Sequence, residues 1–354
     1  MLNTRIGENY NANDVINSND LRKRILNVDS RFRNNQKSPT TDFSLRLAHP
    51  YKNVIRVRVA SVEIPNTFYV FSAKKKNTVF KVKTTDITGI SRILVVTIPD
   101  GNYTSTEIID LIQEQFDENF KDPFGIFLEI TLNPNNGKVT ISHNGLAVYP
   151  VTTTSTQPTA SAKTTIIDFL GDMCLKTRDT HFGLGYNLGF RSKGYKLVPT
   201  TPIPPSTIST LTLTAEGCID VVGDTYMFLA VNDLYAVDQK TKDNYIQVLA
   251  KVIIREDKFA VIYDDGGTLL SNEVIFPSPT DIAILNVQLL DPYGDVIDLC
   301  GENFSFSLEI TEVLNTRLYD FYRNYIWLGT IPEVNYKKVT GSAQPLLRGV
   351  GPPF

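Results

Sequence analysis

Residues 304–311 read FSFSLEIT, and their alternation admits one kind of backbone. Phe304, Phe306, Leu308 and Ile310 fall on one side, and Ser305, Ser307, Glu309 and Thr311 on the other. A period of two is that of a β-strand with one buried face. The same pattern runs through Phe43, Leu45 and Leu47, separated by Ser44 and Arg46, and again through Ile55, Val57 and Val59, separated by Arg56 and Arg58. The apolar parity then slips to Val62 and Ile64, which places a bulge or sharp bend at Ala60-Ser61. Further strands are expected near 80–82, 93–98, 127–132, 139–141, 210–214, 226–231, 246–254, 259–263 and 282–289. The run Asn133-Pro-Asn-Asn-Gly137 supplies a turn between two of them.

One helix interrupts the strands, near 104–120. Thr104 and Glu107 have the spacing of a capping box, and Ile108, Ile112, Phe116 and Phe120 recur every fourth residue, with Leu111 widening the stripe. Its expected role is to cover an edge or end of a sheet. Two low-complexity stretches punctuate the chain: a Ser/Thr-rich one at 150–165, expected to be a loop, and a Pro-rich one near 197–207, expected to be a linker.

Little in the chain suggests chemistry. The net charge of −3 gives no general drive toward nucleic acid or an anionic surface. Cys174, Cys218 and Cys300 are dispersed and odd in number, so neither a disulfide scaffold nor a zinc site is expected. His49, His143 and His181 lack metal-ligand spacing. The stretch GLGYNLGF at 183–190 has no Lys-Ser/Thr for a phosphate loop, and reads as glycines that let aromatic rings approach. Asp264-Asp265-Gly266-Gly267 and Asp291-Pro-Tyr-Gly-Asp295 read as turns, and Lys74-Lys75-Lys76 as a solvated loop. No catalytic residue, cofactor or metal is expected, and neither a leader peptide nor a membrane-spanning stretch is discernible.

The one compact knot of charge is Asp29-Ser30-Arg31-Phe32-Arg33, between a polar, Asn-rich leader and the first alternating strand. Asp29 is expected to turn the backbone and accept from Arg31 or Arg33, with Phe32 anchored between them. The alternatives are a local salt-bridged turn and a pin that aims the leader at a neighbouring subunit. At the other end, the aromatic segment RLYDFYRNYIWL offers Tyr319, Tyr322 and Trp327 for tail contacts.

Several stretches together resemble virion structural proteins of large nucleocytoplasmic DNA viruses. They are NVDSRFRNNQKSPTTDFSLRL, NVIRVRVASVEIPNTFY, IPDGNYTSTEIIDLI, NGKVTIS and LGYNLGFR, followed by YMFLAVNDL and FSFSLEITEV. The resemblance spans residues 26–312. It implies a minor capsid or penton (vertex) protein without catalysis, built on jelly-roll β-sandwiches. It also implies partners, namely the major capsid protein, other minor capsid proteins and further copies of this chain (five at a vertex), and a place in the virion after synthesis in the host cytoplasm. The 150–165 stretch and the tail after Asn315 lie outside the matching motifs.

The expectation is a mostly β protein, a jelly-roll type β-sandwich with one short amphipathic helix and extended terminal arms. Its divisions are an arm over 1–40, a first lobe over 41–198, a linker over 199–207, a second lobe over 208–312 and a tail over 313–354. The alternative is a single elaborated sandwich with the 41–48 strand beside the 304–310 strand. The functional expectation is icosahedral capsid assembly; its competitor is a receptor- or glycan-binding β-sandwich on the virion surface.

Overall fold

The computed structural model describes residues 21–86, 89–121, 127–144, 162–169, 183–197, 210–240, 245–265, 272–317 and 319. The protein is mostly β, a β-sandwich-like fold of curled antiparallel sheets. In chain order the elements are β1 (Leu21–Asp29), β2 (Asp42–Pro65), β3 (Val79–Asp86), β4 (Ser91–Thr97), α1 (Ser105–Phe116), β5 (Phe127–Asn133), β6 (Lys138–Asn144), β7 (Ala162–Asp168), the short α2 (Leu184–Asn187), β8 (Gly194–Leu197) and β9 (Thr210–Thr214). They continue with β10 (Tyr226–Val231), β11 (Val237–Lys240), β12 (Tyr245–Val248), β13 (Ala250–Ile253), β14 (Val261–Asp264), β15 (Val274–Leu290) and β16 (Ser305–Val313).

The strands serve two large hydrophobic cores. The first sits in a seven-stranded sheet ordered β1-β16-β2-β15-β10-β13, with β14 added to β2. Its buried residues come from both ends of the described chain, among them Val57, Val59, Val62 and Ile64 from β2 and Phe306, Leu308 and Ile310 from β16. The second lies between a four-stranded sheet, β4-β3-β7-β8, and a three-stranded one, β5-β6-β9. It buries Phe80, Phe116, Phe169 and Phe190, and all its residues fall between Val70 and Val221.

This division corrects the expected lobes. The second core is an insertion between β2 and β10, and β9, on the far side of the Pro-rich segment, pairs with β6 inside it. The first core joins strands from both expected lobes. The single-sandwich alternative also errs in its pairing: residues 42–46 face 284–288 of β15, whereas β16 pairs with 54–63 of β2 and with all of β1. Residues 21–29, expected in a free arm, thus form a paired strand. Likewise, Ala162–Asp168 at the end of the Ser/Thr-rich stretch is β7.

Local predictions fared better. Register slips between Ser307, opposite Ser61, and Leu308, opposite Val59, so the bulge falls at Ala60. Helix α1 carries the Thr104–Glu107 capping box and buries Ile108, Ile112 and Phe116, with Ile109 rather than Leu111 widening the stripe. The expected strand over 246–254 breaks at Leu249 into β12 and β13. In the glycine stretch, a Cβ on Gly185 would stand 2.2 Å from Phe169 Cγ, so only glycine lets Phe169 lie stacked 4.8 Å from Phe190.

Helix α1 also answers two sheet edges. Gln115 accepts from Thr97 N at 3.0 Å and donates to Thr97 O at 2.9 Å on β4, while Gln113 accepts from Ile130 N and donates to Leu128 O on β5. Backbone groups at one end of β4 and in the middle of β5 are thereby satisfied by side-chain amides.

Between β6 and β7, His143 Nδ1 lies 2.9 Å from Thr165 Oγ1, both groups being fully enclosed. Burial pushes the imidazole down to about 4. Because the unfolded state takes up this proton first, near pH 6.5, the stability linked to His143 is complete above that pH and is lost as pH falls toward 4. The loss amounts to about 3 kcal/mol. Chemical denaturation across this range should show the decline, and His143→Gln should flatten it.

Candidate assembly site

The knot at residues 29–33 turns the chain from β1 toward β2. Asp29 caps a single 3-10 turn over Ser30–Phe32: its carboxylate accepts from Arg31 N at 2.8 Å and from the Arg31 guanidinium Nε at 2.8 Å. These hydrogen bonds hold the Asp29 carboxyl below its usual range, even against partial burial. Arg33 faces the other way and donates to three backbone carbonyls, Ser30 O, Gln36 O and Ser38 O, gathering the loop to which they belong. Phe32, expected as an anchor, is 72% exposed, and the anchor is Ser30 instead. Buried Ser30 exchanges backbone bonds with the start of β16, its N–H donating to Phe304 O and its hydroxyl accepting from Phe304 N at 3.0 Å. Asn303 Oδ1 accepts from the Ser30 hydroxyl at 3.1 Å and also lies 3.4 Å from Arg33.

At the opposite end of β1, Glu312 on β16 is almost wholly buried. It pairs with Arg22 at 2.9 Å and with Arg24 at 3.6 Å, and the Arg24 guanidinium lies 4.4 Å from the Tyr51 ring centroid. On the other face, Glu309 takes Lys23 from β1 and Arg58 from β2, and these hydrogen bonds lower its pKa, that from Arg58 most. The strand is thus held in register at both ends. Sequence reasoning missed Arg22, Arg24, Glu309 and Glu312, because the partners stand some 290 positions apart.

Strand β1 lies at the edge of its sheet, with no strand on its outer side among the described residues. Leu21, where the N-terminal segment attaches, stands opposite Val313, where the C-terminal segment begins. Of the three tail residues named from sequence, Tyr319 is buried, its N–H donating to Asn315 O at 3.1 Å, while Tyr322 and Trp327 lie outside the described residues.

A second feature lies where the chain crosses between the cores. Lys258 donates to Asn66 Oδ1 and Phe68 O, and its ammonium sits 3.6 Å from the Phe68 ring centroid. Burial, with Lys75 nearby, lowers it to about 8. Beside this corner a cleft of about 260 Å³ is lined by half-buried Tyr186, Tyr226 and Tyr293 together with Asn187, Asp220 and Asp224. Among the described residues no group of three His, Cys, Asp or Glu side chains is placed to hold a metal, and no helix is long and apolar enough to cross a membrane.

Replacing Glu312 by Gln removes the charge that holds Arg22 and Arg24. Hydrogen exchange should then accelerate in β1 amides, while those of β2 and β15 in the first core stay protected.

No curated protein matches the chain in sequence. Among solved structures, the penton protein of mavirus is similar at a TM-score of 0.41 and 12% identity, over 82% of this chain and 99% of that one. A family model matches residues 16–325, a span holding the whole of both cores and the clamped edge strand, and the chain belongs to that family, the Family of unknown function (DUF5901).

Proposed function

We propose that this chain is a non-enzymatic structural component of an icosahedral virion capsid, either filling a vertex as a penton protein or bridging capsomers of the major capsid protein as a minor capsid protein. The observation that carries this reading is the clamped edge strand. Residues Leu21 and Val313, where the two terminal segments attach, meet at one corner of a sheet whose outermost strand is fixed in register. A rigid edge at which both terminal segments attach suits a subunit that engages neighbours through spread-out surface rather than a single pocket. The resemblance of the motifs over 26–312, in their order, to virion structural proteins supports the same reading.

In this role the Asp29–Arg33 knot holds the far end of β1, about 30 Å from where the N-terminal segment departs at a strand rise of ~3.3 Å per residue. The knot and the Glu312 pairs together set the direction in which that segment leaves. Replacing Arg31 and Arg33 together by Ala should impair co-assembly with major capsid protein while the melting temperature of the isolated chain stays near that of wild type. Global unfolding would reduce the knot to a stability element. Location of the chain away from the shell in a virion reconstruction would overturn the capsid reading.

The cleft between the cores favours a second reading, a receptor- or glycan-binding protein of the virion surface. Tyrosine rings beside amide and carboxylate groups are the chemistry that binds sugar faces and hydroxyls. In that case a glycan array should give a hit that Tyr186→Ala and Tyr293→Ala abolish; an array without binding removes this reading.

A further inference from the structure

The outer face of the four-stranded sheet is apolar and basic. Across it Ile93 stands opposite Lys83, Lys83 opposite Ile166, and Ile166 opposite Lys196. One pair along the sheet, Val95 stands opposite Lys81 and Lys81 opposite Asp168, so the face also carries a carboxylate beside its lysines. Ile93 is 67% exposed, Val95 47% and Ile166 37%, and nothing among the described residues covers them. These exposed β-branched side chains stand on β4 and β7 and flank Lys83 of β3, so apolar and basic groups alternate across one surface rather than lying scattered. Neither Lys83 nor Lys196 has an ion-pair partner among the described residues.

Helix α1 presents the complementary charge. Asp110, Glu114 and Glu118 recur every fourth residue along its exposed side and its continuation, and none is paired among the described residues. The stripe spans about 12 Å at a helical rise of ~1.5 Å per residue. Lys83 and Lys196, two strand spacings apart, stand about 10 Å from each other. Because the Gln115–Thr97 bonds hold α1 over the edge of β4, the acidic stripe lies round the corner from the lysine face.

We propose that this sheet face binds a second copy of the chain, taking the acidic stripe of the neighbour's α1 against its lysines and burying the isoleucines between them. The contact is heterologous: each copy offers one surface forward and the other behind. Such a contact closes into a ring when its rotation divides a full turn. The inference deepens the assembly reading by naming the surface through which copies of the chain meet, while its physical basis is the charge and exposure of the lobe itself.

Sedimentation velocity of the full chain over a concentration series, at low and at high salt, tests it. Wild type should self-associate, less so at high salt. Lys83→Glu with Lys196→Glu should weaken association roughly tenfold or more, as should Asp110→Lys with Glu114→Lys, the scale of lost charge complementarity at an interface. All four substitutions together should restore it. Unchanged melting curves separate these effects from misfolding. A chain monomeric at every concentration overturns this contact and leaves assembly with other capsid proteins standing, and so does an oligomer indifferent to both charge reversals. Conversely, an association that follows the charge swap in a protein absent from virions overturns the capsid reading and keeps the contact.

Discussion

A β-sheet ends in strands whose outward N–H and C=O groups must find partners, and this protein answers that demand differently in each of its two cores. Around the second core, α1 lies over the edges of β4 and β5, and two glutamine side chains, Gln113 and Gln115, supply some of the bonds that a further strand would have made, at Thr97, Leu128 and Ile130. The helix thereby spans the opening between two sheets, which His143 and Thr165 also tie together elsewhere in the core. Around the first core, β1 is added to the outside of β16, and its own outer side meets no described strand. One lobe is closed by a helix, and the other is extended by a strand.

The addition of β1 rests on long-range electrostatics joined to local turn chemistry. A strand with Arg22, Lys23 and Arg24 in succession repels its own kind unless acidic groups meet it on both faces. Glu312 does so on one face and Glu309 on the other. At the far end the Ser30 hydroxyl donates to Asn303 Oδ1 and accepts from Phe304 N, while the buried Asp29 carboxylate is matched by the exposed Arg31 guanidinium. At both ends of β1 a buried carboxylate is thus matched by guanidinium groups that water still reaches, Asp29 by Arg31 and Glu312 by Arg22 and Arg24, the last two about half exposed.

What could be read from the residues alone follows this division between local and distant causes. The alternation at Phe304–Ile310, the Ala60 bulge and the Thr104–Glu107 cap depend on neighbours within a few positions, so sequence spacing reveals them. Pairing partners do not: apolar parity says that residues 42–46 form a strand, but not that β15 rather than β16 lies beside them. The strand β1 was hidden for the same reason, since LRKRILNVD has few apolar residues and its charges are balanced only by residues some 290 positions away. At the candidate site, Asp29 and Arg31 were legible because they bond each other, whereas Phe32 proved exposed and Ser30 took its place as anchor.

The nesting of one core inside the other sets an order for biosynthesis. Every strand of the second core has been made by residue 214, so that lobe can close outside the ribosome while the rest of the chain is still growing. The first core must wait for β16, which separates β1 from β2 in the finished sheet and is the last of the described strands to be made. Through most of translation, the nascent chain carries β1 and β2 without the strand that joins them. Their hydrophobic face and open edges then depend on cellular chaperones or on prompt completion of the chain.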